Sequence, residues 1–261
     1  MLSNYVNELY RYRELALVWG LREIRVRYKQ SLLGVTWAIL QPLVLMIVFT
    51  LVFSQFARVP TDNIPYPIFS YTALLPWTLF STAISFSVPS LVNNLNLVVK
   101  TYFPREVLPI GAVGASFFDY LVASSIFIVM LIYYRIELTW AVLWLPVVLS
   151  IQLILVLGIG FMGSALNVLY RDIRFIVPLG LQIWLYLTPV IYPVSAVPEQ
   201  YLQFYMLNPM AGIITAYREI ILYGQPPTWS YLAISGVEAL FIFFIGYWIF
   251  KKLEASFADI I

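Results

Sequence analysis

The sequence predicts an all-α integral membrane protein with six transmembrane helices in one bundle, and three observations carry that reading. Of 261 residues, 62% are apolar and only 11% are charged, and the mean hydropathy is +0.86. A soluble domain carries roughly 45–50% apolar and about 25% charged residues. The charges also act as punctuation: none falls between Lys29 and Arg58, Asp62 and Lys100, Glu137 and Arg171, or Arg174 and Glu199. Each gap exceeds the ~20 residues a helix needs to cross the hydrocarbon. Finally, the long apolar runs do not alternate as barrel strands do, and an open sheet edge would strand backbone polar groups in lipid.

Residues 1–35 precede the first span and are too charged to supply the apolar core of a cleavable signal peptide, so none is expected. The stretch at about 5–30 mixes Leu, Val, Trp19 and Tyr with many charges and predicts an amphipathic helix at the cytoplasmic interface. Arg22, Arg25 and Lys29 recur at helical spacing and would face phosphates or water, with Arg27 nearby. Two readings stand for this basic helix: topology alone, or a docking surface for a cytoplasmic partner.

The single transmembrane domain, 36–261, predicts spans at about 36–57, 68–92, 109–134, 141–169, 176–193 and 230–250. Twelve of the fifteen Lys and Arg residues then lie on one side, and only Arg58, Arg135 and Arg218 on the other. The positive-inside rule makes both termini cytoplasmic. Residues 194–229 are apolar but broken by Pro198, Asn208-Pro209, Gly224 and Pro226-Pro227. They predict two short helices that dip into the outer leaflet and return, with an external interfacial loop as the alternative. Gly111/Ala115 and Gly160/Ser164 offer close helix approach, and Thr78/Thr82 and Ser81/Ser85 read as interhelical glue.

No Cys and no His occur, which excludes Cys/His zinc sites, Cys nucleophiles and His-based triads, and no catalytic or metal-binding set is expected. A net charge of +2 is no footprint for nucleic acid. The second cytoplasmic segment, Lys100 to Pro109, brackets both signs of charge and two aromatics between prolines. A short helix presenting Lys100, Tyr102, Phe103, Pro104, Arg105 and Glu106 suits a groove on another protein. Asp119 and Glu238 sit inside spans, where a charge costs about 2.5–3.5 kcal/mol on insertion scales. Each is read as an interhelical hydrogen bond or as part of a proton relay.

Arg22-Glu23, Arg27 to Ser31, Leu33-Gly34, Trp37 and Gln41-Pro42 resemble the approach to the first span of bacterial polysaccharide-export permeases. These are the membrane subunits of ATP-binding-cassette exporters for O-antigen, capsule and teichoic acid. Lys100 to Pro109 resembles their coupling segment. Arg171-Asp172, and Asn208-Pro209 followed by Arg218, also match. The resemblance covers nearly the whole chain in order and is nearest to the O-antigen permeases.

The resemblance implies a homodimer in the bacterial inner membrane with two copies of a separate ATPase, and a lipid-linked polysaccharide as substrate. It implies that the interface helix and residues 100–106 contact the ATPase, and that gate helices lie between spans five and six. Those would include Asn208, Pro209, Arg218 and Glu219. No Gly-Lys pair occurs, so the chain has no P-loop; no cofactor of its own is expected, and ATP and Mg would act through the partner. Aromatic rings stack on sugar C–H faces, which nominates Phe49, Phe53, Phe56, Trp184, Tyr186 and Tyr192 as channel lining. The alternative is a gradient-driven flippase for a lipid-linked glycan using Asp119 or Glu238. A membrane-embedded transferase is a third reading, and no cluster of acids or bases supports it.

Overall fold

A computed structural model describes residues 13–254 except Arg58, Asp62, Asn63 and Tyr102, together with Phe257. The first part of the expected interface helix, residues 1–12, and Tyr102, expected in the coupling segment, therefore lie outside the described residues, which are helical or irregular with no strand.

Helix α1 is Arg13–Tyr28, with Glu14 in its first turn and Arg25 and Arg27 in its last, each suited to the helix dipole. It ends in a turn where Gln30 (φ 67°) and Gly34 (φ 53°) are left-handed. Helix α2 is Thr36–Phe56; it is α-helical to Phe49 and a wider π-helix over Thr50–Phe56. There the Ala57 N–H donates to Val52 O, 3.0 Å away. Helix α3 is Tyr66–Ser87, followed by α4 (Ser90–Asn93), α5 (Leu95–Lys100) and α6 (Val107–Tyr133). A 3₁₀ turn at Trp140–Trp144 leads into α7 (Leu145–Leu169), and α8 is Ile173–Tyr186. A 3₁₀ turn at Val194–Ala196 precedes α9 (Glu199–Tyr205), α10 (Pro209–Ile221) and α11 (Trp229–Glu254).

Four helical stretches are long and apolar enough to cross a membrane: Thr36–Phe56, Val107–Tyr133, Trp140–Leu169 and Trp229–Glu254. The other two expected spans are shorter than 68–92 and 176–193 suggest. Pro89 and Pro189 lack the N–H that would carry α3 and α8 further, although Val88 itself keeps helical backbone (φ −59°, ψ −49°). At 1.5 Å per residue α8 reaches about 21 Å, less than the ~30 Å hydrocarbon.

Helix α3 is the centre, with 16 of its 22 residues buried. It runs antiparallel to α6: Tyr71 stacks on Phe127 at 5.7 Å and its hydroxyl donates to Ala123 O, while Ser116 and Asp119 share a cavity with Thr82 and Phe86. Helices α7 and α11 run parallel, with Trp144 on Trp229 near their starts (4.7 Å) and Phe161 on Phe250 near their ends (5.3 Å). Small residues set these approaches. A Cβ on Gly160 would meet Ser87, and one on Gly111 would meet Trp19. The second-span hydroxyls are not glue between helices: Thr78 and Thr82 donate to their own helix, at Leu74 O and Thr78 O. Helix α10, with 11 of 13 residues buried, wedges between α3, α7 and α11; it is a core element and not a surface loop.

Candidate functional site

Lys100, Arg171, Arg174, Lys251 and Lys252 mark one end of the bundle as basic. A second apolar cluster closes that end, joining Trp19, Leu91, Val98, Phe103, Phe161, Phe250 and Phe257. Here the structure corrects the expected presentation of Phe103, Pro104 and Glu106. Phe103 belongs to the cluster, Pro104 is buried, and Glu106 is 2% exposed. Glu106 pairs with Lys251 and accepts from the Tyr247 hydroxyl at 3.4 Å. The segment closes the base of the bundle between α5 and α6, so its apolar residues turn in to fill that base. Half-buried Arg105 donates to the Glu254 carbonyl and lies 5.7 Å from the Phe257 ring. Among the described residues of this segment, Lys100 and Thr101 face out. Glu106→Ala should cost about 3 kcal/mol, because it leaves Lys251 half-buried with one carboxylate fewer. A lower denaturation midpoint of the detergent-solubilised chain would show it.

Arg22 and Arg25 are exposed on α1, as is Lys29 just beyond its end. The Arg22 guanidinium stands 4.1 Å over Trp19 and donates to Asn94 Oδ1. Together with Asn93, Asn96, Lys100 and Thr101 it lines a groove of about 470 Å³ between α1 and α5. The separation of α1 into two faces is incomplete, since Leu17, Val18, Leu21 and Val26 are exposed beside these charges.

Arg27 points the other way. Its Nη1 donates to Asp119 Oδ2 at 2.6 Å, and its Nη2 to Ser116 Oγ and Ala112 O at 3.1 Å. The Tyr28 hydroxyl donates to Asp119 Oδ1 at 2.6 Å. Burial pulls the Arg27 pKa below its ordinary value, with Asp119 acting against it. Burial, then the bond to Asp119, pushes the Tyr28 phenol up and keeps it a donor. Asp119 thus makes an interhelical hydrogen bond, as one of its two readings has it, and its partner is a cation of α1 that the sequence did not identify. The Glu238 Oε2 atom is buried with no hydrogen-bond partner among the described residues.

At the opposite end, Asn208 caps α10 by accepting from Met210 N, while Pro209 fills the first helical position. Asn208 also accepts from Trp184 Nε1 (2.8 Å) and donates to Leu187 O and Thr188 Oγ1. Arg218 is buried, donates to the carbonyls of Pro189, Val190 and Tyr192, and stacks 3.7 Å over Phe69. Glu219 accepts from Thr228 N and Thr228 Oγ1, which caps α11. The adjacent pair therefore works in two directions, with no bond between the two side chains.

The nominated aromatics divide. Phe49 is buried and meets Phe53 edge-on at 5.8 Å, while Phe56 is 82% exposed. The π-turn breaks the common face that a 3.6-residue period gives these three. Trp184 packs edge-on against Phe80, and Tyr192 donates to Tyr186 O while accepting from Tyr205. Tyr186 stays exposed. Sequence reading missed Tyr28, Tyr247 and Lys251 as partners; the only available signal was an acid inside a span that needed a cation somewhere.

Residues 15–222 match the ABC-2 type transporter family. The chain is 32% identical over 257 residues to the O-antigen export system permease protein RfbA of Myxococcus xanthus, covering 97% of this chain and 98% of that one. It is 32% identical over 251 residues to the protein of the same name from Klebsiella pneumoniae, covering 95% of each. It is 25% identical over 239 residues to the polysialic acid transport protein KpsM of Escherichia coli, covering 85% of this chain and 88% of that one. A family match spanning this much of the chain, on a bundle of apolar helices with a basic end, makes this protein a member of the ABC-2 type transporter family, a membrane transport subunit.

Proposed function

We propose that the chain is the permease subunit of an ATP-driven exporter that moves a lipid-linked polysaccharide, of O-antigen type, out of the cytoplasm across the bacterial inner membrane. The observation that carries this is the end-to-end likeness to O-antigen export permeases, 97% of this chain against 98% of the relative. ATP and Mg act through two copies of a partner ATPase, which dock on the cytoplasmic basic end. The groove between α1 and α5 supports that docking site: Arg22 and Lys100 supply charge, the asparagines supply hydrogen bonds, and it is open among the described residues. Both termini are cytoplasmic, α3 and α8 complete six spans, and α9 and α10 form the external gate. The subunit works as a homodimer. Support comes from α8, which packs mainly on α3 and α7 and of whose own residues only Leu181 is buried, and from the exposed Val44, Ile47, Val48 and Leu51 of α2. Phe56, Tyr186 and Tyr192 then line the outer part of the path. A gradient-driven flippase is less favoured, since both oxygens of Asp119 are engaged by Arg27 and Tyr28.

Purification of the chain from its native membrane with its ATPase tests the proposal. The unaltered chain should bring down an ATP-hydrolysing subunit. Arg22→Glu with Lys100→Glu should cut the amount recovered by about tenfold, as one lost docking contact of 1.4 kcal/mol would. Export that continues with no ATPase present would refute it.

A further inference from the structure

We infer that Arg27, Tyr28 and Asp119 form a latch that makes α1 and α6 one lever, so that a push received on α1 at the basic end is delivered inside the bundle. The inference rests on the permease reading and assigns it three positioning residues.

The latch is built for permanence. Asp119 receives Arg27 on one oxygen and Tyr28 on the other, each at 2.6 Å. The guanidinium also reaches Ser116 and the Ala112 carbonyl on α6, and its carbon lies 3.7 Å from the Phe86 ring of α3. The two charged side chains are only 9% and 17% exposed. Parting them would strand both charges away from water, which is far costlier than opening a surface pair.

A second anchor lies two turns away. Gly20 approaches the Gly111 carbonyl, and Trp19 packs so closely that a Cβ on Gly111 would stand 2.6 Å from its ring. Gly20 to Arg27 on α1 and Gly111 to Asp119 on α6 are nearly equal steps in the same direction, so the helices lie parallel. One anchor would leave a pivot; two anchors fix the tilt as well.

The covalent route from α1 into the membrane is poorly suited to transmit force. It runs through residues 29–35, bent by left-handed Gln30 and Gly34, and α1 packs along α6 rather than along α2. The side of α1 away from α6 is uncovered at Leu17, Val18, Leu21, Arg22 and Arg25 and is free to receive a push. At the other end of the lever, Arg27, Tyr28 and Asp119 line a partly open cavity of about 300 Å³ together with Gln41, Thr78 and Thr82. A shift of α1 therefore reshapes space between α2, α3 and α6.

The test uses the whole exporter in its native membrane. It reads four quantities: chain present, ATPase copurified, ATP hydrolysed and polymer reaching the surface. Arg27→Ala and Asp119→Asn should leave the ATPase bound and hydrolysing, while polymer exported per ATP falls by about three- to thirtyfold, the range of coupling mutations. Arg27→Lys keeps the charge but loses the fork, and should give a smaller fall in a chain that still folds. The sequence has no cysteine, so Arg27→Cys with Asp119→Cys can be joined by a bifunctional thiol reagent. Joining should restore export per ATP. Unchanged export per ATP in Arg27→Ala, Asp119→Asn and Arg27→Lys overturns the latch. So does a loss that merely follows the amount of chain in the membrane and does not recover on cross-linking, since that is the behaviour of simple packing. An unaltered chain that recruits no ATPase overturns the permease reading instead.

Discussion

Gly246→Leu is expected to lower the stability of the bundle by at least about 3 kcal/mol, the upper end of the usual cost of overpacking. A Cβ on Gly246 would stand 2.1 Å from the Gly158 carbonyl oxygen, and one on Gly158 would stand 2.6 Å from the Phe243 Cα. Both obstacles are backbone, so no rotamer change can clear them, and α7 and α11 must separate. These two helices share the most extensive packing in the chain. In lipid that packing is not helped by a hydrophobic drive, because lipid tails are as apolar as the side chains; close van der Waals approach is what holds such helices together. Gly236→Ala is the matched control on the same helix. Its Cβ would lie 3.7 Å from Ile151 Cδ1, an ordinary contact, and it should be neutral or gain up to about 1 kcal/mol of helix propensity. Unfolding midpoints of the detergent-solubilised chain against denaturing detergent give the comparison. Equal midpoints for Gly246→Leu and the native chain would mean that the α7–α11 contact does not carry the bundle.

What the sequence made legible was whatever the bilayer itself dictates. The stretches around 36–57, 109–134, 141–169 and 230–250 could be read because hydrocarbon thickness sets a length and excludes charge, and the helices Thr36–Phe56, Val107–Tyr133, Trp140–Leu169 and Trp229–Glu254 lie there. Asn208-Pro209 announced a break between two short helices through local chemistry alone. What stayed hidden was partnership between distant positions. Arg27 and Asp119 are 92 residues apart, and Arg218 reaches carbonyls about 28 residues back. Neither pairing leaves a periodic trace. The facing of Phe103 and Glu106 was unreadable for a related reason. A proline-bracketed turn has no period to reveal which side is in, and aromatics at its tip suit an outer partner and an inner pocket equally. The π-turn over Thr50–Phe56 was invisible too, because its residues suit an ordinary α-helix and only the wider turn moves Phe56 off the face of Phe49 and Phe53. Gly158 and Gly246 escaped notice because each lies on its own helix with no small-residue pattern that names the other.

Arg218→Leu is expected to release the segment that joins α8 to α9 while leaving the rest of the bundle in place. That segment has little structure of its own: Leu187, Thr188 and Val190 donate only to carbonyls within four residues. Its remaining order comes from α10. Arg218 takes the Pro189, Val190 and Tyr192 carbonyls at 2.5, 2.8 and 3.1 Å, and Tyr66 adds a bond to Ile191 O from α3. Leucine would fill part of the space over Phe69 but take the Arg218 donor from two buried carbonyls, at about 1–3 kcal/mol each, and from the part-buried Tyr192 carbonyl. Lysine cannot fork between them and should recover only part of the loss. The readout again uses the absence of cysteine. Val190 is fully buried, so Val190→Cys should react slowly with a membrane-impermeant thiol reagent in the native background and at least about tenfold faster beside Arg218→Leu, as expected when local opening becomes easier. An unchanged labelling rate would show that Arg218 does not hold the segment. A faster rate with native unfolding behaviour of the bundle would separate a local clamp from a core defect. It would also place control of this end of the bundle in one guanidinium, since the same side chain joins the α8 exit, the central helix α3 and the buried helix α10.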